Sequence, residues 1–138
     1  MYLLGFPLLL IPFAVYNIVA FLLPGLSLTA PLTHVGMISG GEWSMSTGEM
    51  ILALAILLLF GEMLKATRIA MRTVIDHALS LLLFLAMLVE FLLVKQAATG
   101  TFFLLMIVSF VDVIGGFAVT LRSAQRDLTV EGVEHTLS

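Results

Sequence analysis

The sequence FFLLMIVSFVDVIGGF, residues 102–117, has the apolar side chains of a membrane-spanning helix and one aspartate, Asp112, near its centre. The apolar run extends from about residue 101 to residue 121, close to the ~20 residues that a helix needs to cross about 30 Å of hydrocarbon. Asp112 lies about 16 Å along such a helix, near the bilayer midplane. Insertion scales give an aspartate at this depth a cost of roughly 2.5 to 3.5 kcal/mol, so its carboxyl group needs protein around it.

The composition of the whole chain is typical of a membrane protein. Of its 138 residues, 61% are hydrophobic and 11% are charged, and the mean hydropathy is +1.18. A soluble domain has roughly 25% charged residues. Cysteine is absent, which excludes disulfides and thiolate chemistry. The net charge of -3 and the lack of a long basic segment argue against a nucleic-acid partner.

Three further apolar segments predict membrane spans at residues 3–23, 48–68 and 74–94. Together with 101–121 they predict an all-α integral membrane protein with one membrane domain, residues 1–138. Short links join the last three segments, which favours a four-transmembrane-helix antiparallel bundle. The first segment has no basic residue before it, so we interpret it as a retained span rather than a cleaved signal. Pro12 predicts a kink within it.

The basic residues predict the orientation of the spans. Five of the six lysines and arginines lie between spans two and three or after span four, and the exception is Lys95. The positive-inside rule therefore places both termini and the polar tail, residues 123–138, in the cytoplasm. The compact chain and the lack of targeting segments favour a bacterial inner membrane.

The loop at residues 24–47 is predicted to lie outside the cytoplasm. In this loop THVGMIS and EWSMST flank Gly40 and Gly41, and apolar and polar residues roughly alternate on both sides. This pattern predicts a short extracytoplasmic loop or a β-hairpin after the first helix. Trp43 is suited to the membrane interface.

Several polar residues have local structural interpretations. Ser46 and Glu49 have the spacing of a capping box at the start of span two, and Asp76 is an acid in the first turn of span three. Glu62 and Lys65 are three residues apart on one helix, which predicts a local ion pair. His77, which lies next to Asp76, is expected to be a structural or interfacial side chain.

The intramembrane polar candidates are Asp112, Glu90 and Asn17. Glu90 lies about 6 Å and Asn17 about 9 Å below the outer surface of the predicted bundle. The three side chains are therefore predicted to form a polar seam from the outer face to the middle of the membrane. Ser109 is the helical neighbour expected to hydrogen-bond Asp112. A protonated, neutral Asp112 with such a bond is the structural alternative to a functional acid.

Small residues mark one face of the fourth predicted helix. Ser109, Gly116 and Ser123 recur every seven residues, and Gly115 and Asp112 lie on the same side. Small residues at this spacing let another helix approach closely, so this face is predicted to be a helix-packing face.

These observations favour a non-catalytic accessory or assembly subunit that packs through the small-residue face of helix four. The expected partners are the lipid bilayer and either further copies of the chain or a larger membrane complex. The alternative is a small proton- or cation-coupled transporter or pore that works as an oligomer and uses Asp112 and Glu90. No motif of a known enzyme mechanism is present, so the sequence predicts no catalytic, cofactor-binding or metal-binding residue.

Overall fold

The computed structural model describes residues 6–68 and 74–137, most of which are helical. Helix α1 runs from Leu10–Asn17 and continues as a π-helical turn, Ile18–Leu22. The other helices are α2 (Thr47–Arg68), α3 (Val74–Leu93), a 3-10 turn (Lys95–Ala97) and α4 (Gly100–Leu137), and the strands are β1 (Pro31–Gly36) and β2 (Glu42–Ser46). Residues 3–5 of the first predicted span and residues 69–73, the predicted link between spans two and three, lie outside the described residues.

Among the described residues, three helices have the length and apolar composition needed to cross a membrane. Their apolar parts are Thr47–Lys65, Ile75–Leu93 and Gly100–Ala118. The fourth, Leu10–Leu22, is a shorter apolar helix that extends about 20 Å at 1.5 Å per residue. The prediction of a mostly helical chain with several long apolar helices is confirmed to this extent, and the fold is that of a small membrane protein.

The first helix begins later than the apolar run because of its prolines. The N–H of Leu10 bonds to the carbonyl of Pro7, and the N–H of Ile11 bonds to the carbonyl of Leu8, so a tight turn precedes the regular helix. Pro12 lacks an N–H and lies in the first turn of α1, where that donor is not needed. The predicted kink at Pro12 is therefore replaced by a helix start.

The loop before α2 contains the predicted β-hairpin. Strands β1 and β2 pair antiparallel, with Val35 opposite Trp43 and His34 opposite Ser44. Gly40 in the connecting turn has a φ of 88°, which glycine adopts without the steric cost of a Cβ. The structure confirms the hairpin.

The start of α2 directly follows β2 and is closed by a capping box. The backbone N–H of Ser46 donates to Glu49 Oε2 at 2.8 Å, and the backbone N–H of Glu49 donates to Ser46 Oγ at 3.2 Å. This reciprocal pair satisfies helix-start donors and confirms the predicted role of Glu49.

Helix α4 lies between α2 and α3. It packs antiparallel to α3, with the rings of Phe84 and Phe110 5.5 Å apart and those of Phe91 and Phe102 6.2 Å apart. The short link between these two helices predicts this neighbourhood correctly.

Helix α2, by contrast, packs mainly along the parallel helix α4. Gly48 lies against Thr101 near the start of both helices, and Gly115 lies against Met63 about four turns later. A Cβ on either glycine would overlap these neighbours, so both glycines allow a close helix approach. Among the described residues, α2 contacts α4 far more than it contacts α3. The expectation that α2 and α3 pack together as antiparallel neighbours is wrong here, because close contacts at Gly48 on α2 and Gly115 on α4 bring these two helices together.

Helix α4 also extends beyond the predicted fourth span, since the helical backbone continues to Leu137. No proline interrupts this stretch, and the polar residues that follow Leu121 are compatible with a helix. The tail that was predicted only as polar is therefore a continuation of α4.

Candidate functional site: two buried polar layers

Six polar side chains of the bundle lie at two levels, which we name by distance from the end of the bundle that carries the hairpin. The first, the hairpin-end layer, contains Asn17, Tyr16 and Glu90. The second, the deep layer, contains Asp112, Glu62 and His77. From the helix rise, Glu90 is about 5 Å from this end and the deep layer is about 18 to 24 Å from it.

In the hairpin-end layer the structure brings together two of the three predicted candidates. Asn17 Nδ2 donates to Glu90 Oε2 at 3.4 Å and to the carbonyl of Phe13 at 3.0 Å. Glu90 is half-buried at the edge of α3. A bond of 3.4 Å is long for a hydrogen bond, so Asn17 holds this carboxylate only weakly.

Tyr16 is the residue of this layer that sequence reasoning missed. It is fully buried, its hydroxyl donates to the carbonyl of Gln96 at 2.9 Å, and it lies 2.7 Å from Thr99 Oγ1. Thr99 Oγ1 also accepts the N–H of Phe102 and so caps the start of α4. The signal was available, because a tyrosine within an apolar segment needs a partner for its hydroxyl.

Asp112 lies in the deep layer rather than with Glu90. It is buried, with 6% of its surface exposed, so its side chain faces protein. Along the antiparallel pair of α3 and α4 it lies about 13 Å farther from the hairpin end than Glu90 does. The predicted continuous seam is therefore divided into two separate layers.

Ser109 does not form the hydrogen bond that was predicted for it. The residue is 1% exposed, and among the described residues its Oγ has no hydrogen-bond partner. The hydroxyl of Ser109 is therefore not hydrogen-bonded to Asp112, three residues further along α4. The prediction of a bond between them is wrong.

The small residues of α4 face other helices of the same chain. A Cβ on Gly115 would overlap the end of Met63 on α2, and one on Gly116 would lie 3.5 Å from Cε1 of His77 on α3. The two adjacent glycines thus face α2 and α3 respectively, and only Gly115 lies where a Cβ would overlap its neighbour. The side chain of Ser123, the last predicted member of this face, lies outside the described part of the structure.

Glu62 and Lys65 join α2 to the start of the first helix. Their predicted ion pair is present at 3.1 Å, with Glu62 1% exposed. Glu62 Oε1 also accepts the backbone N–H of Leu8, and Lys65 Nζ donates to the carbonyl of Phe6 at 2.9 Å. Sequence reasoning missed these two contacts, although the first N–H groups of any helix need external acceptors.

The two layers can therefore do different chemistry. The deep layer contains the buried carboxyl groups of Glu62 and Asp112, and the hairpin-end layer contains one carboxyl group at the edge of the bundle. Within residues 6–68 and 74–137, no group of three or more histidine or acidic side chains could hold a metal ion. Comparison with protein-family models, with curated proteins and with solved structures gave no match.

Proposed function

We propose that this protein is a non-catalytic accessory or assembly subunit of an oligomer or a larger membrane complex. In this proposal it spans a bacterial inner membrane four times, with both termini in the cytoplasm. The small-residue face of α4 is already covered by α2 and α3, so the proposed docking face is the outward side of α3. Its occupant is a transmembrane helix that presents a hydrogen-bond donor to Glu90.

The low coverage of α3 supports this choice of face. Only 17% of its apolar span is buried inside the chain, compared with 28% for α2 and 39% for α4. A shallow groove of about 560 Å³ runs along the exposed side of α3. Its lining combines apolar side chains, one small residue and one carboxylate: Leu82, Leu85, Ala86, Val89, Glu90, Leu93 and Val94.

Glu90 is the observation that carries the proposal. It lines the groove, and in the described part of the chain Asn17 supplies its one side-chain hydrogen bond, at 3.4 Å. A carboxylate has about four acceptor sites, so Glu90 keeps capacity for another donor. In a medium without water a charge-assisted bond is stronger, which favours a partner helix that supplies a donor at this depth.

The test is the native mass of what copurifies with the full chain from mild detergent. Ala86→Leu fills the groove and is expected to release the partner, and Glu90→Gln is expected to weaken the complex. Ala53→Leu is the matched control, because Ala53 is an exposed alanine on the span of α2. A wild-type protein that runs alone, or a complex that survives Ala86→Leu, would contradict the proposal.

Proton- or cation-coupled transport is the second candidate, and the burial of Asp112 favours it. An acid that is 6% exposed in the middle of an apolar helix is costly, and such acids often belong to proton relays. This function predicts that Asp112→Asn abolishes a proton flux into vesicles containing the protein. Glu49→Gln is the control, because Glu49 caps α2 at an exposed position. A flux that Asp112→Asn leaves unchanged would rule this function out.

A further inference from the structure

The β-hairpin presents its apolar residues on one face. Val35 pairs with Trp43, and Thr33 pairs with Met45, so the side chains of these two pairs project from the same side of the ribbon. His34, Ser44 and Glu42 project from the other side. The register thus makes this ribbon amphipathic, although most of its residues are exposed in the described part of the chain.

The apolar side of the hairpin is exposed, and so is the large apolar residue in its turn. Val35 and Trp43 are each nearly half exposed, and Ile38 at the turn is fully exposed. Leaving several large apolar side chains in water is unfavourable in proportion to their exposed area. Within the described residues, no other element covers this surface.

The exposed surface continues from the membrane-spanning part of the chain. The N–H of Gly48 donates to the carbonyl of Leu28 at 2.9 Å, which closes the base of the hairpin against the start of α2. Exposed apolar side chains also lead from the end of the first helix to β1: Phe21, Leu22, Leu23, Leu26 and Leu32.

We infer that the apolar face of the hairpin lies on the lipid surface, with Trp43 at the boundary between headgroups and acyl chains. Tryptophan prefers this boundary, and an amphipathic element binds it with its apolar side inward. A stable protein partner needs roughly 800 Å² of surface on each side, more than the one apolar face of two short strands offers. The inference rests on the protein spanning a membrane and is independent of docking at α3.

Trp43 is the one tryptophan of the chain, so its fluorescence reports on the hairpin alone. The full chain is reconstituted in phosphatidylcholine vesicles that contain a lipid with a nitroxide quencher either near the headgroup or near the acyl-chain end. We expect strong quenching by the quencher near the headgroup, weaker quenching by the deep one, and little quenching by acrylamide added to the water.

Variants separate insertion from mere proximity to the membrane. Ile38→Asp is expected to lower the ratio of membrane-bound to water-exposed hairpin by roughly tenfold or more. The reason is that the variant loses the favourable burial of one large apolar side chain. Acrylamide then quenches Trp43, and the lipid quenchers do not. Ser44→Asp, on the polar side, is the matched control and is expected to leave both results unchanged.

Two results would overturn the inference. Strong acrylamide quenching in the wild type, without lipid quenching, would place the hairpin in water. Protection from both kinds of quencher that disappears when the protein is diluted with excess lipid would show that a second copy covers the hairpin. Circular dichroism of each variant confirms that the helices remain folded.

Discussion

The two polar layers hold their carboxylates in opposite ways. Glu62 is 1% exposed and has both a cation and a backbone N–H within hydrogen-bonding distance, so it ties α2 to the first helix. Glu90 lies at the edge of α3 and has one long bond to Asn17. A buried acid with several donors is a structural element, whereas an acid at an apolar edge with acceptor capacity left over is available to a ligand or partner.

This difference shows that the presence of an acid in an apolar segment is not enough to assign it a function. Glu62 and Glu90 are both glutamates within long apolar helices, and what separates them is the number of donors that the fold places around each one. Substitutions of Glu62 and Glu90 should therefore differ clearly in their effect on stability.

The largest effect is expected for Glu62→Ala. It leaves the N–H of Leu8 without an acceptor and removes the anion that pairs with Lys65. Removing one member of a buried pair costs about 3 kcal/mol or more. Thermal unfolding in detergent, followed by circular dichroism, measures the loss. Glu90→Gln is the comparison and should leave stability nearly unchanged; equal losses for the two variants would remove the distinction between the layers.

Next in size is the contrast between two glycines at helix contacts. A Cβ at Gly48 would overlap Thr101 and lie 3.0 Å from the carbonyl oxygen of Leu28, so Gly48→Ala is expected to cost about 1–3 kcal/mol. A Cβ at Gly116 meets His77 at an ordinary contact distance, and alanine favours the helix by up to about 1 kcal/mol, so Gly116→Ala should be neutral or stabilising. Detergent unfolding of both variants checks this order, and a reversed order would contradict the packing of α4.

A smaller effect is expected for Tyr16→Phe. It keeps the ring that packs edge-on against Phe102 at 4.9 Å and removes only the hydroxyl that bonds to Gln96. The expected loss is about 1 kcal/mol, typical of one net hydrogen bond. The same unfolding measurement applies, and Phe13→Leu provides a control that changes a ring contact but no hydrogen bond. An unchanged stability in Tyr16→Phe would show that the hydroxyl makes no net contribution to the free energy of unfolding.

The smallest effect, and the one of opposite sign, is expected for Ser109→Ala. Its buried hydroxyl has no partner within the described residues, so removing it relieves a desolvation cost. The variant should be as stable as the wild type or more stable by up to about 1 kcal/mol. A clear loss of stability would mean that the hydroxyl binds a group in the folded protein, which would support an active role for the deep layer.

Much of the local structure could be predicted from sequence. The long apolar helices follow from the length of their apolar runs, the hairpin from alternation around Gly40, and the start of α2 from the spacing of Ser46 and Glu49. Each of these features depends on residues that are close in the chain, so its physical cause is visible within a short window.

The candidate site could be predicted only in part. The inward orientation of Asp112 was expected from the cost of a carboxylate in lipid, and the structure buries it. The layer in which Asp112 lies was not predicted, because the depth of a residue within its own helix does not show which residues of other helices lie at the same level. The helix-packing face was predicted from Gly115 and Gly116, but the pattern does not show whether the approaching helix belongs to the same chain.

By itself, the sequence determined where the long apolar helices lie, that they are apolar enough for a membrane, and where the hairpin turns. Only the tertiary structure decided that α4 packs against α2, that Tyr16 reaches the segment before α4, and that Glu62 holds the start of the first helix. The physical reason is the separation along the chain of the residues that interact. Helix and turn formation depend on neighbours a few residues away, whereas these contacts join segments more than fifty residues apart that no periodicity relates.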